Sequence, residues 1–286
     1  MQFLGTAAAD VLPGPLCSCP ICRDARVDPK RGRLRSMFLL DGENLIDCGP
    51  DLAAGAMRHG VDLSGLKNVF LTHTHEDHFC PSNAGLIRMS RTRPEVPVNL
   101  YLSESAYASV LRKADFYSVA FPTADSIRAL QDGTLLLHPV KAGEAFSAGG
   151  YEVLPVDTTH HASPTETAIN YRFRKDGRSL LYACDTGFYT PESLELLRGS
   201  HLDLLIMEGT WGNRTDKSTA SHMNAYAFSR QLAIFGEYGI IDQHTGIYCT
   251  HINHKHDLNH EAYQAWFDRN APYRVCVAYD GLKLEW

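Results

Sequence analysis

Apolar and polar positions form two patterns along the chain, and the elements they predict alternate from end to end. Short apolar runs bounded by turn residues predict strands. They fall at 2–9, 36–49 (a hairpin), 66–78 (a strand that ends in a loop), 96–103, 135–140, 151–157, 169–174, 179–184, 202–209, 246–252 and 275–286. Helical spacing, with a polar cap or a glycine stop at several ends, predicts helices. They fall at 51–59, 82–93, 103–114, 190–199, 224–237 and 259–270.

The predicted strands come in hairpin groups with helices between them, in two comparable halves. This order favours a layered α/β (α+β) sandwich with helices outside and sheets inside. Glycine and proline are scattered rather than pooled into a linker, so we expect one domain over residues 1–286. Residues 10–35 are rich in proline, cysteine, arginine and aspartate without periodicity, and they are predicted to form a loop.

Composition and charge narrow the classes of function. The 286 residues are 44% apolar and 21% charged, which is typical of a folded globular protein. A net charge of −6 argues against a nucleic-acid partner despite the local basic cluster Lys30, Arg31, Arg33 and Arg35. We interpret Arg31, Arg33 and Arg35 as a solvated loop face, and the alternative is that they attract an anionic substrate. No apolar run approaches 18 residues and the first ten residues lack a signal-peptide pattern, so we expect no membrane partner and a cytoplasmic location.

The segment FLTHTHEDHF (70–79) crowds ionisable side chains where an apolar strand meets a loop. Its core fits the spacing H-x-H-x-D-H. Because alternate residues of an extended segment share a face, His73 and His75 are expected to point at one centre. After the chain turns, Asp77 and His78 are expected to point at a second centre nearby. Imidazole and carboxylate groups are typical ligands of zinc, manganese and iron.

Three further apolar strands end in ligand-type residues. One ends at His160 and His161, one at Asp185 and one at His251. An isolated histidine-rich loop would be explained by exposure to solvent. Four such strand ends instead predict a metal centre buried at the edge of a sheet.

In this order the motifs FLGTAAA, LIDCG, THTHEDH, HH, CDTG and CTHINH resemble the metallo-β-lactamase superfamily of binuclear hydrolases. The resemblance implies a four-layer αββα sandwich with two divalent metals between the sheet edges. It assigns His73, His75 and either His160 or His161 to the first metal, with His160 favoured by the family's strand pattern. It assigns Asp77, His78 and His251 to the second metal, and a bridging role to Asp185. Histidine rather than glutamate at position 75 favours hydrolysis with zinc or manganese over redox iron.

A second metal signal lies near the amino terminus. Cys17, Cys19 and Cys22 have the spacing C-x-C-x2-C, and three thiolates need a fourth ligand for a tetrahedral structural zinc. His254 is the best candidate, and the alternative is a set of free, partly buried cysteines. The zinc-binding loop, at about 15–27, paired with THINH further along, resembles the cyclic phosphodiesterases of the carbon–phosphorus lyase pathway, which open phosphoribosyl 1,2-cyclic phosphate.

The resemblance also implies a chemistry. Paired metals lower the pKa of a shared water, so a nucleophile exists near neutral pH. We assign catalytic roles to Asp77, which is also a metal ligand, and to His222, as phosphate ligand or general acid; the alternative for His222 is a cap contact. Asp47 is expected behind the ligands, where it accepts an N–H from a ligating histidine; the alternative is an aspartate that only forms the turn before Cys48 and Gly49.

The expected reaction is hydrolysis of a small anionic phosphodiester, either cyclic or derived from a sugar. A lactonase or thioesterase on the same scaffold stays open, as does a non-hydrolytic protein of the pyrroloquinoline quinone biosynthesis type. The sequence does not fix the oligomeric state, and a homodimer is left open.

Overall fold

The structure, a computed structural model, describes residues 1–28, 31–90, 95–120 and 125–285, with side chains described outside 114–120 and 125–127. The described chain contains thirteen strands. They are β1 (Gln2–Gly5), β2 (Met37–Leu39), β3 (Asn44–Ile46), β4 (Asn68–Phe70), β5 (Val98–Ser103), β6 (Leu135–Val140), β7 (Phe146–Ala148), β8 (Tyr151–Ser163), β9 (Glu166–Lys175), β10 (Arg178–Ala183), β11 (Leu204–Glu208), β12 (Gly246–Thr250) and β13 (Val275–Val277).

The described chain also contains eight helices. They are α1 (Pro20–Val27), α2 (Leu52–His59), α3 (Ser82–Ser90), α4 (Glu104–Ala120), α5 (Asp125–Gln131), α6 (Pro191–Leu197), α7 (Ala225–Glu237) and α8 (His260–Asn270). Residues 91–93 of the predicted helix 82–93, Lys30 and Trp286 lie outside the described residues.

The strands form two mixed sheets, one from each half of the chain. The first has the order β1-β2-β3-β4-β5-β6, and the second has the order β13-β12-β11-β10-β9-β8-β7. In the first sheet β3, β4, β5 and β6 are mutually parallel. In the second, β10, β11, β12 and β13 are mutually parallel. Each sheet therefore carries its antiparallel hairpins on one side and its parallel strands on the other.

Three apolar clusters show how the layers stack. One cluster lies between the two sheets and includes Phe38, Phe70, Tyr171 and Tyr182. A second packs helices on the outer face of the first sheet, and a third packs α6, α7 and α8 on the outer face of the second. The predicted αββα sandwich is thus confirmed.

Strand patterning explains which residues face which layer. In β9, Ile169, Tyr171 and Phe173 alternate and enter the cluster between the sheets. In β10, Leu180 and Tyr182 enter that cluster while Leu181 enters the outer one. A strand covered on both faces reads as a continuous apolar run, which is the pattern of residues 179–184.

Three predictions about the elements need correction. Residues 10–35 are not all loop, because PICRDARV forms α1: Pro20 occupies the first turn and the Cys19 side chain accepts a hydrogen bond from the backbone N–H of Cys22. Strand β8 does not end at His160 but continues to Ser163, with an irregularity in its pairing with β9. Strand β7 and helix α5 were not predicted, since both are short.

Within the basic cluster, Arg33 is not part of a solvated face. Arg33 is 5% exposed, and its guanidinium donates hydrogen bonds to Thr6 Oγ1 at 2.7 Å and to the Ala278 carbonyl at 2.5 Å. Arg35 pairs with Asp51 at 3.1 Å. Arg33 therefore joins the two halves of the chain, and Arg35 joins two segments of the first half.

A membrane-spanning helix is not present in the described part of the chain, where each helix is too short or too polar to cross a bilayer.

Phe70 tests the core between the sheets. It is fully buried, and its ring lies 4.9 Å from that of Phe173 and 5.1 Å from that of Tyr101, measured between centroids. We expect Phe70→Ala to lower the free energy of unfolding by about 3–5 kcal/mol, because it leaves a cavity. Urea denaturation measures this change. Met57→Ala, at an 83% exposed site, is the control and is expected to change stability by less than about 0.5 kcal/mol.

Candidate metal centre and active-site cleft

The ligand-type side chains meet because parallel strands end at the same sheet edges. Asp47 follows β3, the segment 72–79 follows β4, Asp185 follows β10 and His251 follows β12. In open α/β sheets, functional groups gather beyond the carboxyl ends of such strands. The two sheets bring these edges together, so residues from both halves of the chain contact one another.

Three of these strand ends share an unusual backbone conformation. Asp47, Asp185 and His251 have φ angles of 62°, 52° and 55°, in the left-handed region that side chains other than glycine rarely adopt. Each residue therefore turns the chain sharply and directs its side chain into the centre. Such strain is found mainly at functional sites.

The first group contains His73, His75, His160 and Asp185, with one ligand atom from each within 4.8 Å of the others. His75 Nδ1 lies 3.0 Å from His73 Nε2 and 3.1 Å from His160 Nε2. Nitrogens that share a tetrahedral zinc at about 2.0–2.1 Å lie roughly 3.3 Å apart. The spacing of the three imidazoles therefore fits a divalent cation.

The second group is built from His78, His251, Asp77 and Asp185. His78 Nε2 lies 3.3 Å from His251 Nε2 and 3.3 Å from Asp77 Oδ2. Asp185 Oδ1 is 2.9 Å from His251 Nε2, whereas its Oδ2 is 3.3 Å from both His73 and His78. Asp185 thus contacts both groups, in the arrangement expected of a bridging carboxylate. Cys184 Sγ also lies in this group.

The structure distinguishes the two adjacent histidines. His160 is 5% exposed, its Nδ1 faces the Ser221 carbonyl at 3.2 Å, and its Nε2 faces the first group. His161 is exposed on the opposite face of β8 and contacts Thr167 Oγ1 at 3.2 Å. His160 is therefore the histidine placed to bind a metal.

Protonation of the imidazoles shows what the buried carboxylates require. Burial opposes charge on His251, but Asp185 beside it raises the pKa to about 10. Burial likewise opposes charge on His78, and Asp77 and Asp185 together raise its pKa well above the usual value. At His160, burial outweighs the opposing effect of Asp185, which lies 3.6 Å from its Nε2, and lowers the pKa to about 4. The buried carboxylates are thus stabilised by positive charge on the neighbouring imidazoles. Divalent cations would compete with protons for the same imidazole nitrogens.

Asp47 supports the loop that carries the ligands. Its carboxylate faces His78 Nδ1 at 2.7 Å and accepts hydrogen bonds from the backbone N–H of Thr72 at 2.8 Å and from Thr72 Oγ1 at 2.9 Å. The backbone at Gly49 also packs closely against this loop. A Cβ at position 49 would lie 2.0 Å from the Asp77 carbonyl oxygen, so glycine is needed there. These contacts fix the orientation of the His78 ring, as the sequence analysis expected of Asp47.

Thr74, between His73 and His75, is held from the other side. Glu166 at the start of β9 accepts hydrogen bonds from the Thr74 N–H and Oγ1, both at 2.7 Å. Lys113 of α4 donates to the Thr74 carbonyl. Neither of these two charged residues belongs to a sequence motif, so the sequence alone gives no signal for them.

His222 precedes α7 and forms a pair with Glu208 at the end of β11. His222 Nδ1 lies 2.9 Å from Glu208 Oε1, and Glu208 also accepts hydrogen bonds from Thr186 N–H at 3.1 Å and Thr210 Oγ1 at 2.5 Å. Burial lowers the pKa of His222, but the neighbouring Glu208 outweighs it and the net pKa is raised. Glu208 was missed as a functional residue, although its place at the end of an apolar strand was a usable signal.

The centre opens into a cleft of about 430 Å³. Its walls include metal-type ligands of both groups and the His222 ring. They also include Trp211 and Lys255 at the rim, with Lys255 paired to Asp10 at 2.5 Å. A small molecule in this cleft can therefore reach both ligand groups and His222 together.

The cysteine motif forms a separate cluster with His254. The sulfurs of Cys17 and Cys19 lie 3.6 and 3.7 Å from His254 Nδ1, and Cys22 Sγ completes the group within 4.8 Å. Ligands of a tetrahedral zinc with mixed sulfur and nitrogen coordination lie roughly 3.6 Å apart. Backbone N–H groups of Gly14 and Cys22 point at sulfurs at 3.3 and 3.4 Å, which favours thiolates. The cluster fits a zinc, and it links α1 to the segment that carries His251.

The comparison with known families agrees with this geometry. The model of the β-lactamase superfamily domain matches residues 44–252, and the chain belongs to this superfamily. It has the metallo-β-lactamase fold, with histidine and aspartate clusters compatible with divalent metals.

Relatives extend over the whole chain. The coenzyme PQQ synthesis protein B of Acinetobacter baumannii (strain AB0057) is 24% identical over 319 residues, covering 100% of this chain and 99% of its own. A crystal structure of a new diphosphatase from the PhnP family is 28% identical, with a TM-score of 0.72 and coverage of 100% and 96%. Zinc-bound PqqB from Methylobacterium extorquens is 19% identical, with a TM-score of 0.74 and coverage of 100% and 99%. The similarity to the Methylobacterium extorquens protein shows a shared fold.

Asp47→Asn tests the support of the second group. Asparagine tolerates the left-handed backbone but removes the charge that orients His78, so we expect about a 10- to 100-fold loss of metal affinity. Competition with a chromogenic chelator measures this loss. The matched control is Asp176→Asn, also at a positive φ (51°) but in a distant turn. Equal affinity in the two variants would contradict the role of Asp47.

Cys22→Ser tests the separate zinc cluster. We expect the purified variant to lose one equivalent of zinc per chain by elemental analysis, because serine is a poor zinc ligand. Cys276→Ser, at a partly buried cysteine outside the cluster, is the control and should retain the metal content. Unchanged zinc in Cys22→Ser would mean that the cysteines are free thiols.

Proposed function

We propose that this protein is a metal-dependent phosphodiesterase that hydrolyses a small phosphodiester or diphosphate. The observation that carries the proposal is the joint placement of the two ligand groups, bridged by Asp185, and the His222–Glu208 pair on one cleft. The 28% identical diphosphatase of the PhnP family supports a phosphorus-containing substrate.

The ligand assignment follows the geometry. His73, His75 and His160 would hold one divalent cation, Asp77, His78 and His251 the other, with Asp185 between them; zinc or manganese suits these donors. When bound, such a pair supplies a nucleophilic water at neutral pH and offsets negative charge on the phosphate.

His222 and Glu208 can supply the proton that the leaving oxygen needs. Hydrolysis joins a water oxygen to phosphorus and breaks the bond from phosphorus to the leaving oxygen, which then needs a proton. Glu208 faces Nδ1 of His222, so Nε2 is the nitrogen left to address the cleft. Because Glu208 raises the pKa of His222, the pair favours the imidazolium, which is the form that can donate a proton.

A second candidate function rests on the full-length similarity to coenzyme PQQ synthesis protein B. In that case the same centre would serve a step of cofactor biosynthesis rather than phosphodiester hydrolysis.

Lactone and thioester hydrolysis use the same kind of centre. A panel of bis-p-nitrophenyl phosphate, a lactone and a thioester, assayed with wild type and His73→Ala, separates these activities. Absence of metal-dependent turnover of the phosphodiester would reject the proposal.

His222→Ala tests the proton donor. For a phosphodiester with an alkyl leaving group we expect kcat to fall about 10²- to 10⁴-fold, because the alkoxide loses its acid. A p-nitrophenolate ester should be much less affected, since that leaving group is stable without a proton. His161→Ala, at the neighbouring exposed histidine, is the control. Equal losses for the two esters would make His222 a phosphate ligand, and unchanged turnover of both would remove it from the reaction.

A further inference from the structure

A small cavity of about 20 Å³ lies where helix α1, residues 31–33 and the start of α8 meet. Of the residues that line it, only Asn253 also lines the active-site cleft. Its polar lining includes Arg33, His256 and Asn259. A cavity of this volume has room for a water molecule or a monatomic ion, so the chemistry of the lining decides which of them fits.

His256 brings a hydrogen-bond donor without a partner to this cavity. The residue is 6% exposed, and its Nδ1 accepts a hydrogen bond from the Leu258 N–H at 3.0 Å, so the ring proton is on Nε2. Among the described residues, this buried Nε2 has no hydrogen-bond partner. The Cγ end of the ring packs against Gly212, where a Cβ would lie 2.4 Å from Cγ, which leaves the Nε2 end for the cavity. A buried donor in this state is costly unless the cavity holds an acceptor.

Arg33 brings a buried positive charge to the same cavity. It is 5% exposed, and its guanidinium donates to a hydroxyl, to a backbone carbonyl and to His260 Nδ1 at 3.0 Å, all of them uncharged. Within the part of the chain that the structure describes, no carboxylate forms an ion pair with Arg33. Asp280 pairs with Arg58 at 3.3 Å instead. A buried charge without an opposite charge is unfavourable, so Arg33 favours an anion nearby.

The other charged groups of the lining neutralise each other. Arg31 pairs with Asp24, which also lines the cavity, and with Asp28 at 3.4 Å and Glu261 at 3.2 Å. The side chains of these three carboxylates are at least 37% exposed, so solvent screens their charge. The lining therefore contains two cations and one carboxylate, and the charge of Arg33 is the one left unpaired.

The amides of the lining have used their acceptors but not their donors. Asn259 Oδ1 caps α8 by accepting from the Ala262 N–H at 2.9 Å, and Asn253 Oδ1 accepts from the Lys255 N–H at 2.7 Å. Among the described residues, the Nδ2 of neither amide makes a hydrogen bond. The amino end of α8 adds partial positive charge at Asn259. A water molecule needs acceptors for its own protons, whereas an anion only accepts, as this lining requires.

We propose that this cavity binds a chloride ion, held by the Nε2–H of His256, the guanidinium of Arg33 and the amide of Asn259. The lining comes from α1, from residues 31–33, from the segment that follows His251 and from α8. A bound chloride therefore stabilises the packing of α1 against the segment that carries His251. The site is independent of the proposed function, because it lies outside the active-site cleft.

Bromide, which replaces chloride and scatters anomalously, locates the ion. In crystals of the metal-loaded protein grown with sodium bromide, we expect an anomalous peak in this cavity for wild type. Asn259→Asp should lose the peak, because aspartate keeps the helix cap but replaces the amide donor with a negative charge. Asn224→Asp, at the cap of α7, is the matched control and should keep it. A wild-type cavity that holds only water, or nothing, would overturn the proposal.

Thermal unfolding tests the same site in solution. The two conditions are sodium chloride and an equal concentration of sodium isethionate, whose anion is too large for the cavity. With chloride at ten times its Kd, we expect the Tm of wild type to be about 2–3 °C higher than in isethionate.

This difference in Tm should disappear in Asn259→Asp and in His256→Phe, which removes the Nε2 donor. His59→Phe is the control, because His59 Nε2 is likewise buried and unpartnered but lies outside the cavity. If His256→Phe does not fold, Asn259→Asp decides the question alone. An equal difference in wild type and Asn259→Asp would mean that chloride acts elsewhere, for example at the paired metals, and would reject the site.

Discussion

The carboxylate of Asp185 is the interaction on which the rest of the centre depends. It is 1% exposed, it contacts His73 and His78 through one oxygen, and it contacts His251 through the other. A charge so deeply buried is stable only when opposite charge surrounds it. The neighbouring imidazoles provide that charge as protons or as bound cations. The two ligand groups are therefore one electrostatic unit rather than two independent sites.

The two sheets hold the residues of this centre in fixed positions, and three of those residues have a strained backbone. The residues that end the strands on both sides of the centre are buried, so these strand ends hold fixed positions. The left-handed turns at Asp47, Asp185 and His251 persist because hydrogen bonds and packing determine them from several directions. Supporting side chains, Asp47 from the first half and Glu166 and Glu208 from the second, then fix the loops that carry the ligands.

Sequence patterning predicted most of the fold and the ligand-type residues. Apolar runs located the long buried strands, and the spacing of His73, His75, Asp77 and His78 depends only on local geometry. Helix α1 was missed because its eight residues offer only a short buried face, Ile21, Cys22 and Ala25, among a proline and several charged residues. Contacts such as Lys113 to Thr74 could not be predicted, since they join residues far apart in sequence through tertiary packing alone.

The origin of the ligands in both halves of the chain has a consequence for folding. His73 and His251 are brought together only when the two sheets dock face to face, so neither half alone can assemble the chelating set. Closing so long a loop is entropically costly and tends to occur late. Divalent cations that bind this set therefore stabilise the state with both sheets packed together, relative to states in which the sheets are apart.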